Sequence, residues 1–145
     1  MHIVEMTDVT QDVYKAFQLL IPQLTQHIPP PSKELLVEMA ASEAVFVFLA
    51  REDDENGRIL GSATLATFIT PTGTHGWIED VIVDRDARRR GIGRALTEAC
   101  LEKARQISLR EVNLTSRPSR EAANKLYQEL GFQQRETNVY RYSLE

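Results

Sequence analysis

"RDARRRGIGRAL", residues 85–96, sets five arginines against two glycines in a chain whose net charge is −4. It follows a strand-like run, "GWIEDVIVD" (76–84), in which a two-residue period puts Ile78 and Glu79 on opposite faces. After it, Ile92, Ala95, Leu96, Ala99, Cys100, Ala104 and Ile107 recur at three and four, while Arg94, Glu98, Glu102 and Arg105 share another face. That is the pattern of an amphipathic helix. A strand that passes through a loop into a helix presents unpaired N–H groups at the helix start, where the macrodipole also favours negative charge. Gly91 and Gly93 remove side chains that would hold an anion away from those amides, and Arg88, Arg89, Arg90 and Arg94 add charge-assisted contacts. A pyrophosphate or similar small polyanion fits such a corner. The plainer alternative is a glycine-rich turn with exposed arginines.

Working outward, "HIVEM" (2–6) reads as a short strand and "QDVYKAFQLLIPQLTQ" (11–26) as a helix with Val13, Phe17, Leu20 and Leu24 on one stripe. "HIPPPS" (27–32) stops it, because three prolines cannot continue a helix, and "SKELLVEMAAS" (32–42) suits a second helix capped by Ser32. "AVFVFLAR" (44–51) and "RILGSATLATFI" (58–69) are strands joined by the polar turn "EDDENG", closed by Gly57. "EVNLTS" (111–116) is again strand-like, and "SREAANKLYQELG" (119–131) is a helix through Ala123, Leu126, Tyr127 and Leu130 that stops at Gly131. "FQQRETNVYRYSL" (132–144) would close the chain as a hairpin turning near Thr137–Asn138. The order β-α-α-β-β-β-α-β-α-β-β predicts an α/β fold in one domain, residues 1–145, with the clearest elements over 44–145.

A length of 145 residues with 42% hydrophobic and 26% charged residues suits one compact core. The lone Cys100 excludes an intramolecular disulfide, the N-terminus lacks a basic, apolar leader pattern, and no apolar run reaches the roughly 20 residues of a membrane span. The expectation is a cytoplasmic protein with no membrane partner. Charge is uneven: residues 1–57 hold ten acids and three bases, residues 58–145 eleven acids and fourteen bases. Thirteen of the seventeen basic residues are arginine, the type suited to planar anions. A Walker loop is excluded because no lysine or hydroxyl follows the glycines, and a dinucleotide fingerprint because Leu96 stands where a third glycine belongs. One "RRR" on an acidic chain is weak support for nucleic acid, so none is expected as a partner.

Three segments together resemble the GNAT superfamily of acetyl-CoA-dependent N-acetyltransferases. "RRRGIGRAL" is similar to its pyrophosphate loop, [RQ]-x-x-G-x-[GA], with Arg88, Gly91 and Gly93 in the defining places. "IEDVIVD" looks like its central strand, and "NKLYQELGF" resembles its second cofactor-side segment, in matching order over roughly residues 77 to 132. The resemblance implies a single-domain fold with a mixed, mostly antiparallel central sheet flanked by helices, and residues 1–43 as a variable acceptor-side segment. It implies acetyl-CoA as donor, an amine as acceptor, no metal, and room for a homodimer.

Residue by residue, the resemblance places Glu79 as the base that deprotonates the amine, often through water, with Asp80 the weaker candidate on the opposite face. A plain ion pair or hydrated strand end is the alternative for Glu79. It gives the main chain of Val81, Ile82 and Val83 to the pantetheine arm and the oxyanion, although these side chains also read as core. Arg88, Arg89, Arg90, Gly91, Ile92, Gly93 and Arg94 form the diphosphate site. Tyr127 aligns with the acid that protonates the departing thiolate, or is a core tyrosine; Asn124 aligns with a pantetheine partner, or is an exposed helix asparagine. His27 and His75 lack metal-ligand spacing, Cys100 reads as a buried thiol, and Trp77 either lines the acceptor pocket or packs beneath it.

For the acceptor, the acidic first third suits a cationic amine: polyamine-like, aminoglycoside or protein amine. "IEDVIV" is also similar to the matching strand of glucosamine-6-phosphate N-acetyltransferases, which keeps an amino-sugar phosphate open, with Arg117, Arg120, Arg135 and Arg141 as spare phosphate binders. A non-catalytic acetyl-CoA sensor or partner-binding protein is the other class; the presence of both Glu79 and Tyr127 points to an enzyme.

Overall fold

The computed structural model describes residues Met1–Glu145 and divides into two compact units, Met1–Leu114 and Thr115–Glu145. The first unit runs β1 (His2–Glu5), α1 (Gln11–Leu24), α2 (Lys33–Ala41), β2 (Val45–Arg51), β3 (Ile59–Thr70), β4 (Gly73–Val83), a 3₁₀ turn (Arg85–Ala87), α3 (Ile92–Gln106) and β5 (Val112–Asn113). The second holds α4 (Glu121–Glu129). The strands form one sheet in sequence order, antiparallel from β1 to β4 and parallel between β4 and β5. This is the α/β fold that the element order predicts, with the mixed, mostly antiparallel sheet that the family resemblance implies.

Strand alternation decides which helix covers which face. Val47 and Leu49 of β2 join Val13, Phe17 and Leu20 of α1 and Leu36 of α2 in one buried cluster. Phe46 points the other way and lies beneath Lys103 of α3, whose Nζ is 5.1 Å from the ring centroid. Leu20 and Leu36 are almost wholly buried, so truncating either to alanine costs roughly 2–5 kcal/mol. The α2 start is capped as expected: Ser32 accepts a bond from the Leu35 amide at 3.1 Å. Leu24, read as part of the α1 stripe, is exposed at the helix end.

Three expectations are corrected. Strand β5 spans only Val112–Asn113, because its parallel pairing with β4 covers just Gly76–Val112 and Trp77–Asn113. The closing hairpin over 132–144 is absent: Val139, Tyr140, Tyr142 and Leu144 are 70–91% exposed and pair with no strand. The alternation of those residues imitates a strand, but "QQRE" before it supplies no apolar face, and a two-stranded hairpin alone is marginal in water. The third correction lies in β4 itself. Thr64 pairs with Glu79 and Ser62 with Ile82, so Asp80 and Val81 together face the single residue Ala63. This is a β-bulge, with Asp80 at φ 51°. The bulge breaks the two-residue period, so Glu79 and Asp80 are both exposed rather than on opposite faces of a regular strand.

Candidate functional site

Strand β4 is the long element of the site, and it changes character halfway. It pairs with β3 along its length and with β5 only at Gly76 and Trp77; from Ile78 to Val83 it has β3 on one side and no strand on the other. About 20 Å of strand edge, at roughly 3.3 Å per residue, is thereby left with outward peptide groups. Val81, Ile82 and Val83 lie on that edge. Ile82 is buried in the α1–α2 cluster, while Val81 and Val83 are partly exposed. Only the Ile82 side chain meets the expectation of a core position, and the main chain of all three borders the free edge.

Glu79 stands where the free edge begins. Although the residue as a whole is exposed, partial burial at the carboxyl, and secondarily the negative charge of Asp80, pushes its pKa above the ordinary glutamate value of 4.5. A carboxylate held this way binds a proton more readily than one in water, which suits a base that must both take up and release protons. Asp80, turned by the bulge, acts here as the charge that tunes its neighbour.

Past Val83 the chain is fastened before it opens. Asp84 is buried and takes the Asp86 amide at 3.1 Å and the Arg58 guanidinium at 3.2 Å. Burial alone would raise its pKa, but those bonds outweigh it and hold the carboxyl below 3.8. Arg88 Nε reaches back to the Val83 carbonyl at 3.3 Å. Arg89 and Gly91 then take left-handed φ values of 66° and 76°, the local geometry that aims successive amides into a shared concavity. Gly91 is the N-cap of α3 and supplies no side-chain cap; the first bond back along the helix runs from the Ala95 amide to the Gly91 carbonyl, 3.1 Å. The amides of Ile92, Gly93 and Arg94 precede it and form the uncapped first turn. A Cβ added at Gly91 would meet nothing within 4 Å, so the left-handed φ, and not crowding, is what requires glycine there. Arg90 lies 3.6 Å from Glu52 and Arg94 3.6 Å from Glu98, loose surface pairs that an anion can outcompete.

The second unit carries the other two residues of interest. Asn124 donates both N–H groups of its side chain, to the Arg117 carbonyl at 2.9 Å and the Arg120 carbonyl at 2.8 Å. It thus ties the "RPSR" loop to the first turn of α4, and its own carbonyl oxygen is what it can offer a ligand. Tyr127 is 7% exposed. Burial raises its phenol pKa above 10.0, with Arg120 pulling modestly the other way, so the hydroxyl is protonated at neutral pH. The helix end explains the "LYQELGF" spelling. Phe132 N–H bonds the Tyr127 carbonyl (2.9 Å), Gly131 N–H bonds the Gln128 carbonyl (3.1 Å), and the Tyr127 and Phe132 rings meet edge to face at 5.8 Å. That is a Schellman closure with its accompanying apolar contact.

Sequence reading missed the Asp84–Arg58 anchor, the bulge, and the role of Phe132 in holding Tyr127. Only the last left a signal, in the Gly131–Phe132 pair that follows α4. His75 is bonded to Thr70, Thr72 and Glu111. Cys100 is buried, its thiol pushed up to about 12 by burial, which makes it unfit as a nucleophile. No three His, Cys, Asp or Glu side chains are grouped to hold a metal ion, and no helix is long and apolar enough to cross a membrane.

Comparison with known proteins shows the family and the fold. Residues 13–132 match the profile of the acetyltransferase (GNAT) family. Glucosamine 6-phosphate N-acetyltransferase 1 of Oryza sativa subsp. japonica is 34% identical over 101 residues, which cover 65% of this chain and 61% of that protein. The match thus spans about three fifths of the length of that curated relative. Among solved structures, an acetyltransferase of Trypanosoma brucei superposes with a TM-score of 0.75 at 27% identity, covering 99% of this chain and 100% of that one. An aminoglycoside acetyltransferase from an uncultured soil metagenomic sample, in complex with trehalose, gives a TM-score of 0.81 at 18% identity, covering 99% and 96%.

Proposed function

The chain belongs to the GNAT acetyltransferase family, and on that footing we propose that it transfers the acetyl group of acetyl-CoA to a primary amine by direct attack in a ternary complex. The observation that carries the reading is the junction of two features on one strand: the free outer edge of Ile78–Val83 and, directly after it, the uncapped α3 start behind Gly91. The first suits an extended pantetheine arm bonded like an added strand; the second suits the diphosphate that follows it. Arg88, Arg89, Arg90 and Arg94 neutralise the diphosphate, and Asn124 offers its carbonyl oxygen to the arm.

In the proposed reaction, Glu79 takes a proton from the ammonium, directly or through water, and the freed nitrogen lone pair attacks the thioester carbonyl. A lysine-like amine, with a pKa of about 10.4, needs that help at neutral pH. A main-chain N–H within Val81–Val83 receives the oxyanion, and the bulge supports this by taking peptide groups there out of the regular ladder. The carbon–sulfur bond then breaks as the carbonyl re-forms, the nitrogen gives its second proton to water, and Tyr127 gives its phenolic proton to the thiolate and regains one from bulk water. Cys100, buried and protonated, is no acyl carrier, which favours the direct route over a covalent one.

For the acceptor we take an amino-sugar phosphate, supported by the relative that is 34% identical and by the fourteen basic residues of 58–145. The lone, buried thiol suits a reducing cytoplasmic setting. The test is thiol release from acetyl-CoA with glucosamine 6-phosphate, glucosamine, spermidine, an aminoglycoside and a lysine peptide. Glucosamine 6-phosphate should give the highest kcat/KM, ahead of unphosphorylated glucosamine by about tenfold or more, the worth of a charge-assisted pair. Release with no amine in the panel would reject the transferase, and a preference for spermidine would reject the acceptor class.

A further inference from the structure

The face of β4 that carries Glu79 also carries Trp77 and His75 at the same two-residue period. His75 is nearly buried and its ring is fully engaged. Nδ1 meets Glu111 Oε1, Nε2 lies 2.8 Å from Thr70 Oγ1 and 3.0 Å from Thr72 Oγ1, and the ring stacks on Phe68 with centroids 5.4 Å apart. An ionised carboxylate only accepts, so Nδ1 donates to Glu111. Glu111 is also where the β5 side begins: its carbonyl accepts the Gly76 amide at 3.1 Å, and the Arg110 amide donates to the Thr74 carbonyl at 2.8 Å. On the opposite face Gly76 lets the chain approach closely, since a Cβ there would fall 2.6 Å from Leu109 Cδ1. The β5 segment is therefore fastened to β4 by main chain and from both faces, all within residues 74–77, and by no ladder beyond Trp77–Asn113.

We propose that His75 and Glu111 are positioning residues, a pin that fixes where β5 leaves β4 and so keeps the edge from Ile78 onward free for the pantetheine arm. A parallel ladder has no stop of its own. Each further pair would cover about 3.3 Å of edge that the arm needs, and the pin opposes that drift by tying the side chain at the start of β5 to β4 behind the fork. This rests on the proposed function, because the free edge has that use only if acetyl-CoA binds there. Losing the pin lets β5 release its bond to Gly76 and re-pair further along β4, which lowers the fraction of molecules with an open edge, weakens cofactor binding in proportion and leaves chemistry in the bound state alone.

Glu111 is the position to vary, since its side chain is 43% exposed and its truncation leaves the core intact. The full chain, Glu111→Ala and Glu111→Gln are compared by exchange of the Gly76 amide, calorimetric Kd for CoA, and KM and kcat for acetyl-CoA with glucosamine 6-phosphate. Glu111→Ala should speed Gly76 exchange and raise both Kd and KM about tenfold while kcat stays within about twofold. Glu111→Gln, which keeps an acceptor facing Nδ1, should restore all three. An unchanged Kd in Glu111→Ala, or a Glu111→Gln variant as weak as Glu111→Ala, overturns the pin. If the parent chain itself binds no CoA, the proposed function is what fails. The exchange arm then decides the pin alone: faster exchange in Glu111→Ala only supports it, and equal exchange rejects it.

Discussion

At the scale of single residues, Glu79 is held in a state that its own solvation disfavours. The carboxyl binds a proton more tightly in the folded chain than in the unfolded one, so between pH 4.5 and its raised value the folded state carries the extra proton. Stability therefore falls as pH rises through that window. Glu79→Gln removes the penalty. Its Tm should exceed the parent's at neutral pH, the difference should vanish below pH 4.5, and turnover should drop by about 10²-fold, the usual worth of a positioned base. Paired thermal melts across pH and steady-state rates check this; a difference in Tm that ignores pH, or undiminished turnover, contradicts the assignment. Glu79 was legible as a candidate only through the resemblance of "IEDVIVD" to the family's central strand. Its tuning was not. Asp80 contributes its charge beside Glu79 from within a bulge, and a bulge adds one residue to a strand without marking composition.

Among elements, the join between β4 and α3 was the most legible part of the chain, since the hydrophobic period changes from two to three and four across the glycines. Which property of Gly91 matters was not legible. Bulk is tolerated there, while the φ of 76° is not neutral for most residues. Gly91→Ala should lose about 1 kcal/mol of stability, and Gly91→Asn less, because asparagine tolerates the left-handed region. Gly91→Glu should fold comparably to Gly91→Ala yet bind CoA at least about 10²-fold more weakly, since it sets a carboxylate among the amides proposed to hold the phosphates. Melts and calorimetry on the three variants separate the two effects; CoA affinity retained in Gly91→Glu refutes the loop assignment. The weaker elements were misread where pattern and partner disagree. Residues 132–144 alternate like a strand, yet nothing pairs with them, and β5 ends where the pairing with β4 ends.

Over the whole molecule, the sheet order, the bulge and the fastened turn at Asp84 converge on one corner, where a free strand edge meets an uncapped helix start. The uneven charge follows this division in part: eleven of the thirteen arginines come after β4, while four of the ten acids of residues 1–57 sit in the β2–β3 turn, where Glu52 lies 3.6 Å from Arg90. What no local pattern could convey is that β4 pairs with β5 only at Gly76 and Trp77 and leaves Ile78–Val83 with no strand on that side, because strand pairing is set by a segment some thirty residues away. Everything proposed for this chain depends on acetyl-CoA lying along that unpaired stretch. The direct measurement is a titration of ¹⁵N-labelled protein with CoA, followed at each backbone amide. The largest shifts should fall on Gly91, Ile92, Gly93 and Arg94, with a second group at Val81, Ile82 and Val83; saturable binding that leaves both groups unmoved would contradict the reading outright.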